Sequence, residues 1–205
     1  MKPQAKLDLY RQHAREYAVT TQPTFVEIGP ATYLAITGQG APGGQAFTDR
    51  IGALYGVAFT IKMTRKFAGR RDYAVGKLEA QWWHDDASGS FAQFPREEWR
   101  WRLLIRTPDF INPDDLAQAV TALLKRRKPP TVREVRLESF AGGRCVQMLH
   151  VGPYEREGET VAIMKAHAEK HGLQFRGRHH EIYLSDPRRV AADRLKTILR
   201  QPVGV

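Results

Sequence analysis

The feature that most constrains the fold is an order of elements that the chain repeats. Residues 24–37 are β-branched and apolar and run into the stretch GQGAPGG, which predicts a strand followed by a loop. Apolar positions at helical spacing follow from Phe47, although Gly52 and Gly56 weaken the expectation of an unbroken helix. Two strands, DYAVGKLEAQWW and EEWRWRLLIRTP, complete the first half. In the second of these, apolar residues alternate with arginines, which predicts a half-buried strand.

The second half repeats the order. The segment NPDDLAQAVTALLKRRKPP opens with capping residues and a proline and ends in cations, as a helix does. VREVRLESFAGGRCVQMLHVGPY predicts two strands joined at Gly142 and Gly143, ETVAIMKAHAEKHG a helix and HHEIYL a strand. Asp186 and Pro187 then predict the start of a final helix, with QPVGV as a tail.

This repetition predicts an α+β fold of tandem duplicated strand-helix-strand-strand modules. We expect a curved antiparallel sheet with helices on one face and a ligand cleft on the other. The pseudo-repeats fall at about 23–110 and 111–205, and residues 1–22 form an N-terminal helical extension.

Composition excludes several classes of protein. No apolar run is long enough to span a bilayer, and the first residues, MKPQAKLDLYRQHAREYA, lack the apolar core of a secretory signal. The single cysteine, Cys145, agrees with a reducing compartment, so we expect a cytoplasmic protein of bacterial type. Cys145 lies in the apolar run CVQMLHV and is interpreted as a buried strand thiol, with a nucleophile as the alternative.

The net charge of +10 permits contact with nucleic acid but does not require it. The basic runs at 65–71 and 125–128 are short and do not alternate with aromatic residues, so they are interpreted as solvated helix ends. Nucleic acid is therefore not the expected partner.

The strand HHEIYL carries the strongest chemical signal. Alternation puts His179, Glu181 and Tyr183 on one face, opposite His180 and Ile182. With helices over the Ile182 face, Glu181 would point into the cleft, where desolvation would favour its protonated form. Such a residue serves as a counter-ion for a cation or as a general base. The alternative is an ordinary strand residue paired with an arginine.

Neither a metal nor another cofactor is expected. His179 and His180 point to opposite faces without further ligands at metal-binding spacing, and GQGAPGG lacks the Lys-Ser/Thr ending of a phosphate-binding loop. Aromatic residues are dense, and most of them are expected in the core, with a few reaching a ligand. The aromatic residues are Tyr73, Trp82, Trp83, Trp99, Trp101, Tyr154 and Tyr183.

Several of these segments resemble motifs of GyrI-like proteins, which are related to the effector-binding domains of multidrug-responsive transcription regulators. The resemblance lies in HVGPY (150–154), HHEIYLSDPRR (179–189), LEAQWW (78–83) and EEWRWRLLIRTPDF (97–110). It spans most of the chain, from about Pro23 to Pro202, and identifies 23–205 as a GyrI-like small-molecule-binding domain. The stretch Leu78 to Gln81 departs from the expected Leu-Glu-Gly-Leu, which affects the pocket wall.

The resemblance implies a cleft for planar, hydrophobic or cationic small molecules, with Glu181 as its buried glutamate. Some stand-alone members that resemble this chain hydrolyse cyclopropanoid genotoxins, which implies a detoxifying activity. Glu181 would then be the acid/base residue, and Tyr154 would hydrogen-bond the ligand carbonyl. We expect the ligand-binding residues to include Trp82, Trp83, Trp101, Tyr73, Tyr183 and His179.

Two functions stay open at this point, a hydrolase and a non-catalytic protein that sequesters or senses drugs. A third and weaker hypothesis is an interaction protein that docks on gyrase or on DNA. The chain lacks a recognisable helix-turn-helix module, which argues against a self-contained transcription regulator.

Overall fold

The computed structural model describes residues 6–86 and 90–205 and confirms the α+β class. Its helices are α1 (Leu9–Gln12), α2 (Ala14–Tyr17), α3 (Gln45–Phe67), α4 (Pro113–Lys125) and α5 (Glu157–Lys170). Its strands are β1 (Thr24–Gln39), β2 (Leu78–Trp83), β3 (Arg100–Thr107), β4 (Arg136–Val151), β5 (Gln174–Phe175), β6 (His179–Tyr183) and β7 (Lys196–Gly204).

The strands are hydrogen-bonded in the order β4-β1-β3-β2-β6-β7-β5, and β4 also pairs with β7. The pairings of β1 with β3, and of β7 with β4, β5 and β6, are antiparallel. The predicted antiparallel sheet is therefore confirmed.

The chain packs as two compact units. The first comprises the described residues of Met1–Gln12, Ala31–Gly76 and Trp82–Phe140. The second comprises His13–Pro30, Lys77–Gln81 and Ala141–Val205. Strands β1, β2 and β4 are each divided between the two units.

In the first unit, helix α3 is continuous across Gly52 and Gly56. Gly56 faces Leu123 of α4, and a Cβ atom there would meet Leu123 at 3.9 Å, an ordinary packing distance, so the contact between the helices does not require glycine. Helix α4 begins with the predicted cap, because the side chain of Asn112 accepts from the backbone N–H of Asp115 at 3.0 Å and Asp115 reciprocates.

Strand β3 is covered more completely than its alternating pattern predicts. Trp101, Leu103 and Ile105 are buried as expected, but Leu104 and Arg106 on the other face are buried too. Leu104 packs into a small cluster with residues of β1, so the strand has apolar neighbours on both faces.

In the second unit, β7 is the strand against which β4, β5 and β6 pair. Helix α5 covers this sheet, and its Met164 and Ala168 are fully buried. The cluster around Met164 consists of Val146, Met148, Ala168, Leu173, Leu199 and Val203. Cys145 is buried in β4, as predicted, and burial raises the pKa of its thiol to about 11.

Two predictions about this half are wrong. Gly142 and Gly143 do not form a turn, because β4 is one strand that passes through them. A Cβ atom at Gly142 would clash with the side chain of Ile28, and Gly143 has a φ of 66°, so the pair accommodates a close approach and an irregularity within the strand.

The predicted C-terminal helix is also absent from this region. Residues 192–194 form a short 3-10 turn, and β7 extends through residues that were predicted to be a tail. Thr197, Ile198 and Leu199 are β-branched or apolar and fully buried, and the tertiary pairing with β4 and β6 outweighs the helix-starting signal of Asp186 and Pro187.

No helix among the described residues combines the length and the apolar character that crossing a membrane requires.

The contact between Gly38 and Trp101 gives a stability prediction. The two residues are directly opposed in the β1–β3 pair, and a Cβ atom at Gly38 would clash with three atoms of the indole ring. We expect Gly38→Ala to lower the free energy of unfolding by about 1–3 kcal/mol, measured by urea denaturation.

Gly29→Ala is the matched control, because a Cβ atom there would meet nothing within 4 Å. It should leave stability within about 1 kcal/mol of wild type. Equal effects of the two substitutions would contradict the packing described for Trp101.

Candidate functional site

Strand β6 places a carboxylate between two polar side chains. His179, Glu181 and Tyr183 project from the same face, as alternation predicts. The hydroxyl of Tyr183 donates to Oε2 of Glu181 at 2.6 Å, and Nε2 of His179 lies 3.5 Å from Oε1. Both oxygens of a carboxylate that is only 9% exposed are thus oriented by neighbours.

The face that Glu181 occupies is the reverse of the expected one. In the sheet register, Glu181 is opposite Leu199, and Leu199 is opposite Met148. Because directly opposed residues share a face and both partners pack against Met164, Glu181 lies on the face that α5 covers. The sequence pattern predicted helices over the Ile182 face, and α5 covers the opposite face instead.

The opposite face of the same strands carries a separate polar row. Nε2 of His180 lies 2.9 Å from Oε2 of Glu79, and burial lowers the pKa of His180. Arg200 is opposite His180 in the register and donates to Oε1 of Gln147 at 3.1 Å and to the carbonyl of Glu16. Arg200 therefore makes its hydrogen bonds on the face of the sheet opposite to Glu181.

A second carboxyl group lies next to Glu181. Glu157 is the first residue of α5, and its Oε1 atom is fully buried. Burial first, and then the charge of Glu181, raise the pKa of Glu157 to about 10, although Thr197 acts in the opposite direction. At neutral pH, Glu157 therefore carries a proton beside Glu181.

Tyr154 completes this group from the turn that precedes α5. Its ring meets that of Tyr183 edge to face, with centroids 5.8 Å apart. Burial, followed by the charges of Glu157 and Glu181, raises the pKa of Tyr154 to about 12. The phenol therefore stays protonated at neutral pH and is available as a hydrogen-bond donor.

The turn itself is held by His150. Its Nε2 donates to the carbonyl of Pro153 at 3.1 Å, since a carbonyl oxygen only accepts. Its Nδ1 lies 2.9 Å from the hydroxyl oxygen of Thr160 in α5. Both ring nitrogens are occupied, so His150 connects the end of β4 to the turn that carries Tyr154.

The predicted tryptophans belong to the first unit. Trp82 stacks near Phe47 and Phe91 at centroid distances of 5.6 and 6.2 Å. Its Nε1 is buried without a hydrogen-bond partner among the described residues. An unpaired buried N–H is available to a ligand acceptor. Trp83 is half-buried at the end of β2.

Trp101 and Tyr73 are part of the packing of the first unit. Trp101 is fully buried, and its Nε1 donates to the carbonyl of Gly40 at 3.2 Å. Tyr73 is buried against Phe110, and burial raises the pKa of its phenol. The structure thus brings together His179, Glu181, Tyr183 and Tyr154 in the second unit, and the ligand-binding roles of the four residues in the first unit stay predictions.

Glu157 is the residue that sequence reasoning missed. The predicted helix began at Glu159, which left Glu157 in the loop. The available signal was the acidic run Glu155, Glu157 and Glu159 directly after the HVGPY motif. Within 6–86 and 90–205, His, Cys, Asp and Glu side chains form no group of three or more that could hold a metal ion.

The comparisons with known proteins identify relatives along the whole chain. Residues 21–203 match the model of the GyrI-like small molecule binding domain. A structure described as an uncharacterized conserved protein from Listeria innocua is 34% identical, with a TM-score of 0.90, over 97% of this chain and 100% of that one. No curated protein matches the chain.

Two further structures from Listeria innocua are described as hydrolases. One is 34% identical with a TM-score of 0.86, over 97% of this chain and 100% of that one. The other is 33% identical with a TM-score of 0.88, over 98% and 100%. The C-terminal domain of EcmrR shares the fold, with a TM-score of 0.57 at 12% identity over 89% of this chain and 97% of that domain.

The protonated state of Glu157 predicts a pH dependence of stability. Its pKa is about 10 in the folded protein against an ordinary value of 4.5, so the folded state binds more protons between these limits. Stability should therefore fall as pH rises from about 5 to 9, by up to about 1 kcal/mol per pH unit from this group.

Glu157→Gln removes the titrating group and should flatten this slope, measured by urea denaturation at several pH values. Glu169→Gln, an exposed carboxyl group near the end of α5, should leave the slope at the wild-type value. A wild-type slope in Glu157→Gln would show that Glu157 is ionised in the folded protein.

Proposed function

Because this chain belongs to the family of GyrI-like small-molecule-binding domains, we propose that it is a hydrolase of strained, cyclopropane-bearing small molecules. The observation that carries the proposal is the buried carboxylate of Glu181, which is oriented by Tyr183 and His179 and accompanied by a protonated Glu157. Two relatives that align over the full length of their chains and are described as hydrolases support it.

Glu181 is the proposed general base. A general base must be correctly oriented, and the hydroxyl of Tyr183 orients the carboxylate of Glu181 through its 2.6 Å hydrogen bond. The second oxygen, Oε1, faces His179 at 3.5 Å, a distance long enough to leave it able to accept a proton from water.

The reaction balances without an external reactant besides water. In a cyclopropane conjugated to a carbonyl group, water forms the new C–O bond as one ring C–C bond breaks, and the electron pair moves to the carbonyl oxygen. Glu181 takes a proton from the water, and the hydroxyl of Tyr154 hydrogen-bonds the developing oxyanion. The raised pKa of Tyr154, about 12, keeps this donor protonated.

Planar and hydrophobic substrates suit the aromatic residues of the chain. Tyr183 and His179 are the proposed contacts beside Glu181. In the first unit, Trp82 and Trp83 stay proposed stacking residues, whereas Trp101 and Tyr73 are enclosed by packing and are withdrawn as ligand contacts. The unpaired Nε1 of Trp82 would satisfy an acceptor on such a molecule. The proposed biological role is detoxification of reactive compounds.

A second candidate function is non-catalytic binding of cationic drugs, for sequestration or sensing. The observation that favours it is the negative charge around Tyr154 from Glu155, Glu181 and Asp186, next to which Glu157 is uncharged. In a chain of net charge +10, this local excess of acid would attract a cation, and Glu181 would be the counter-ion.

The substitution Glu181→Gln separates the two functions, because the amide keeps the shape but loses the charge and the base. For a hydrolase, we expect kcat to fall at least about 100-fold while the affinity for a neutral planar ligand is retained. For a binder, we expect no product from wild type and a weaker affinity for a planar cationic dye in the variant.

Mass spectrometry after incubation with a spirocyclopropane cyclohexadienone measures turnover as the gain of one water, and fluorescence titration of the dye measures affinity. Glu169→Gln, an exposed carboxyl group of α5, is the control and should match wild type in both assays. Unchanged turnover and unchanged affinity in Glu181→Gln would refute the role of this residue.

A further inference from the structure

We infer that Glu157 is a second catalytic residue of the proposed hydrolase, the general acid that protonates the oxygen released by ring opening. The inference rests on the proposed function and adds a proton donor to it. Glu157 and Glu181 come from different elements, the start of α5 and the middle of β6, and their carboxyl groups are neighbours.

The position of Glu157 is set by the turn that His150 holds. His150 binds Pro153 on one side and Thr160 on the other, and these two contacts bracket the three-residue turn Tyr154–Arg156 and the first residue of α5. Glu157 therefore has a defined backbone position beside Tyr154, rather than that of a free surface glutamate.

The hydrogen-bonding capacity of Glu157 is only partly used by the protein. Thr197 and Glu181 lie close enough to act on its carboxyl group, yet among the described residues its buried Oε1 makes no hydrogen bond of normal geometry. A purely structural buried carboxyl group is normally satisfied on both oxygens. Oε1 is therefore available to a substrate oxygen.

The surroundings decide the protonation state of Glu157. Its place at the start of α5 favours the ionised form through the helix dipole. Burial, then the charge and hydrogen bond of Glu181, and the charge of Glu155 act in the opposite direction and raise the pKa of Glu157. The hydrogen bond from Tyr183 stabilises the charge on Glu181, so that the proton of the pair resides on Glu157.

A protonated and an ionised carboxyl group side by side supply the two transfers that the reaction needs. Glu181 accepts the proton of water as the C–O bond forms, and Glu157 gives its proton to the carbonyl oxygen as the ring bond breaks. After product release, Glu181 is protonated and Glu157 is ionised, and one proton transfer between the neighbours restores the starting state. No proton is gained or lost over the cycle.

The test compares Glu157→Gln with Glu169→Gln, an exposed carboxyl group at the other end of α5, on two spirocyclopropane cyclohexadienones whose phenol products differ in acidity. A general acid contributes about 100- to 10,000-fold, so kcat should fall at least 100-fold in Glu157→Gln and stay at the wild-type level in Glu169→Gln. The loss should be smaller for the substrate with the more acidic phenol, because its oxygen needs less protonation. A structural defect would reduce both substrates equally.

The pH profile of the wild-type enzyme gives a second readout that needs no variant. The kcat should decline at alkaline pH as Glu157 loses the proton that it donates. Glu157→Asp keeps an acid at this position and should retain more activity than Glu157→Gln.

The outcomes separate the two proposals. Wild-type turnover with an unchanged kcat in Glu157→Gln, or a flat kcat through the alkaline range, would overturn the role of Glu157 and leave the hydrolase standing. Equal losses on both substrates would overturn the acid role as well. Intact substrate after incubation with wild type and Glu169→Gln would overturn the hydrolase itself, and the acid role with it.

Discussion

The two-residue alternation of β6 and β7 is the constraint on which the chemistry of the second unit depends. It directs His180 and Arg200 to one face, where Glu79, Gln147 and the backbone of Glu16 receive them. It directs His179, Glu181 and Tyr183 to the other face, beside α5. A shift of one residue in this register would exchange the two sets, so the pairing of β6 with β7 decides which carboxyl group meets Glu157.

Because Arg200 and Glu181 lie on opposite faces of the sheet, the arginine does not neutralise the carboxylate of Glu181. Glu181 has a tyrosine and a histidine at its two oxygens, and a protonated carboxyl group as its neighbour. These groups stabilise one negative charge without pairing it to a fixed cation. A charge held in this way can take up a proton or attract a cationic ligand, so both candidate functions follow from one arrangement.

Strong local patterns predicted much of the fold. The capped helix at α4, the strand at 24–37 and the strand HHEIYL are confirmed because short-range signals and burial agree there. The errors have tertiary causes. Gly142 and Gly143 look like a turn, but they make room for Ile28 within β4, and the residues after Pro187 look helical but complete a sheet. Contacts between distant segments outweigh local preference at both places.

The site was predictable only in part, for the same reason. Alternation along β6 was sufficient to place Glu181 with His179 and Tyr183, and the HVGPY motif pointed to Tyr154. Glu157 was not predictable from spacing, because its proton comes from burial and from Glu181, which is distant in sequence. The face of the sheet that α5 covers was also not predictable from the sequence, because α5 lacks distinct apolar and polar sides.

A single turnover in oxygen-18-labelled water tests the central claim most directly, with excess protein over a spirocyclopropane cyclohexadienone and mass analysis of both product and protein. Base catalysis by Glu181 predicts one labelled oxygen in the ring-opened product and none in the peptide that contains Glu181. Label in that peptide with an unlabelled product would contradict the account, because Glu181 would then be a nucleophile, and intact substrate would show that the chain only binds it.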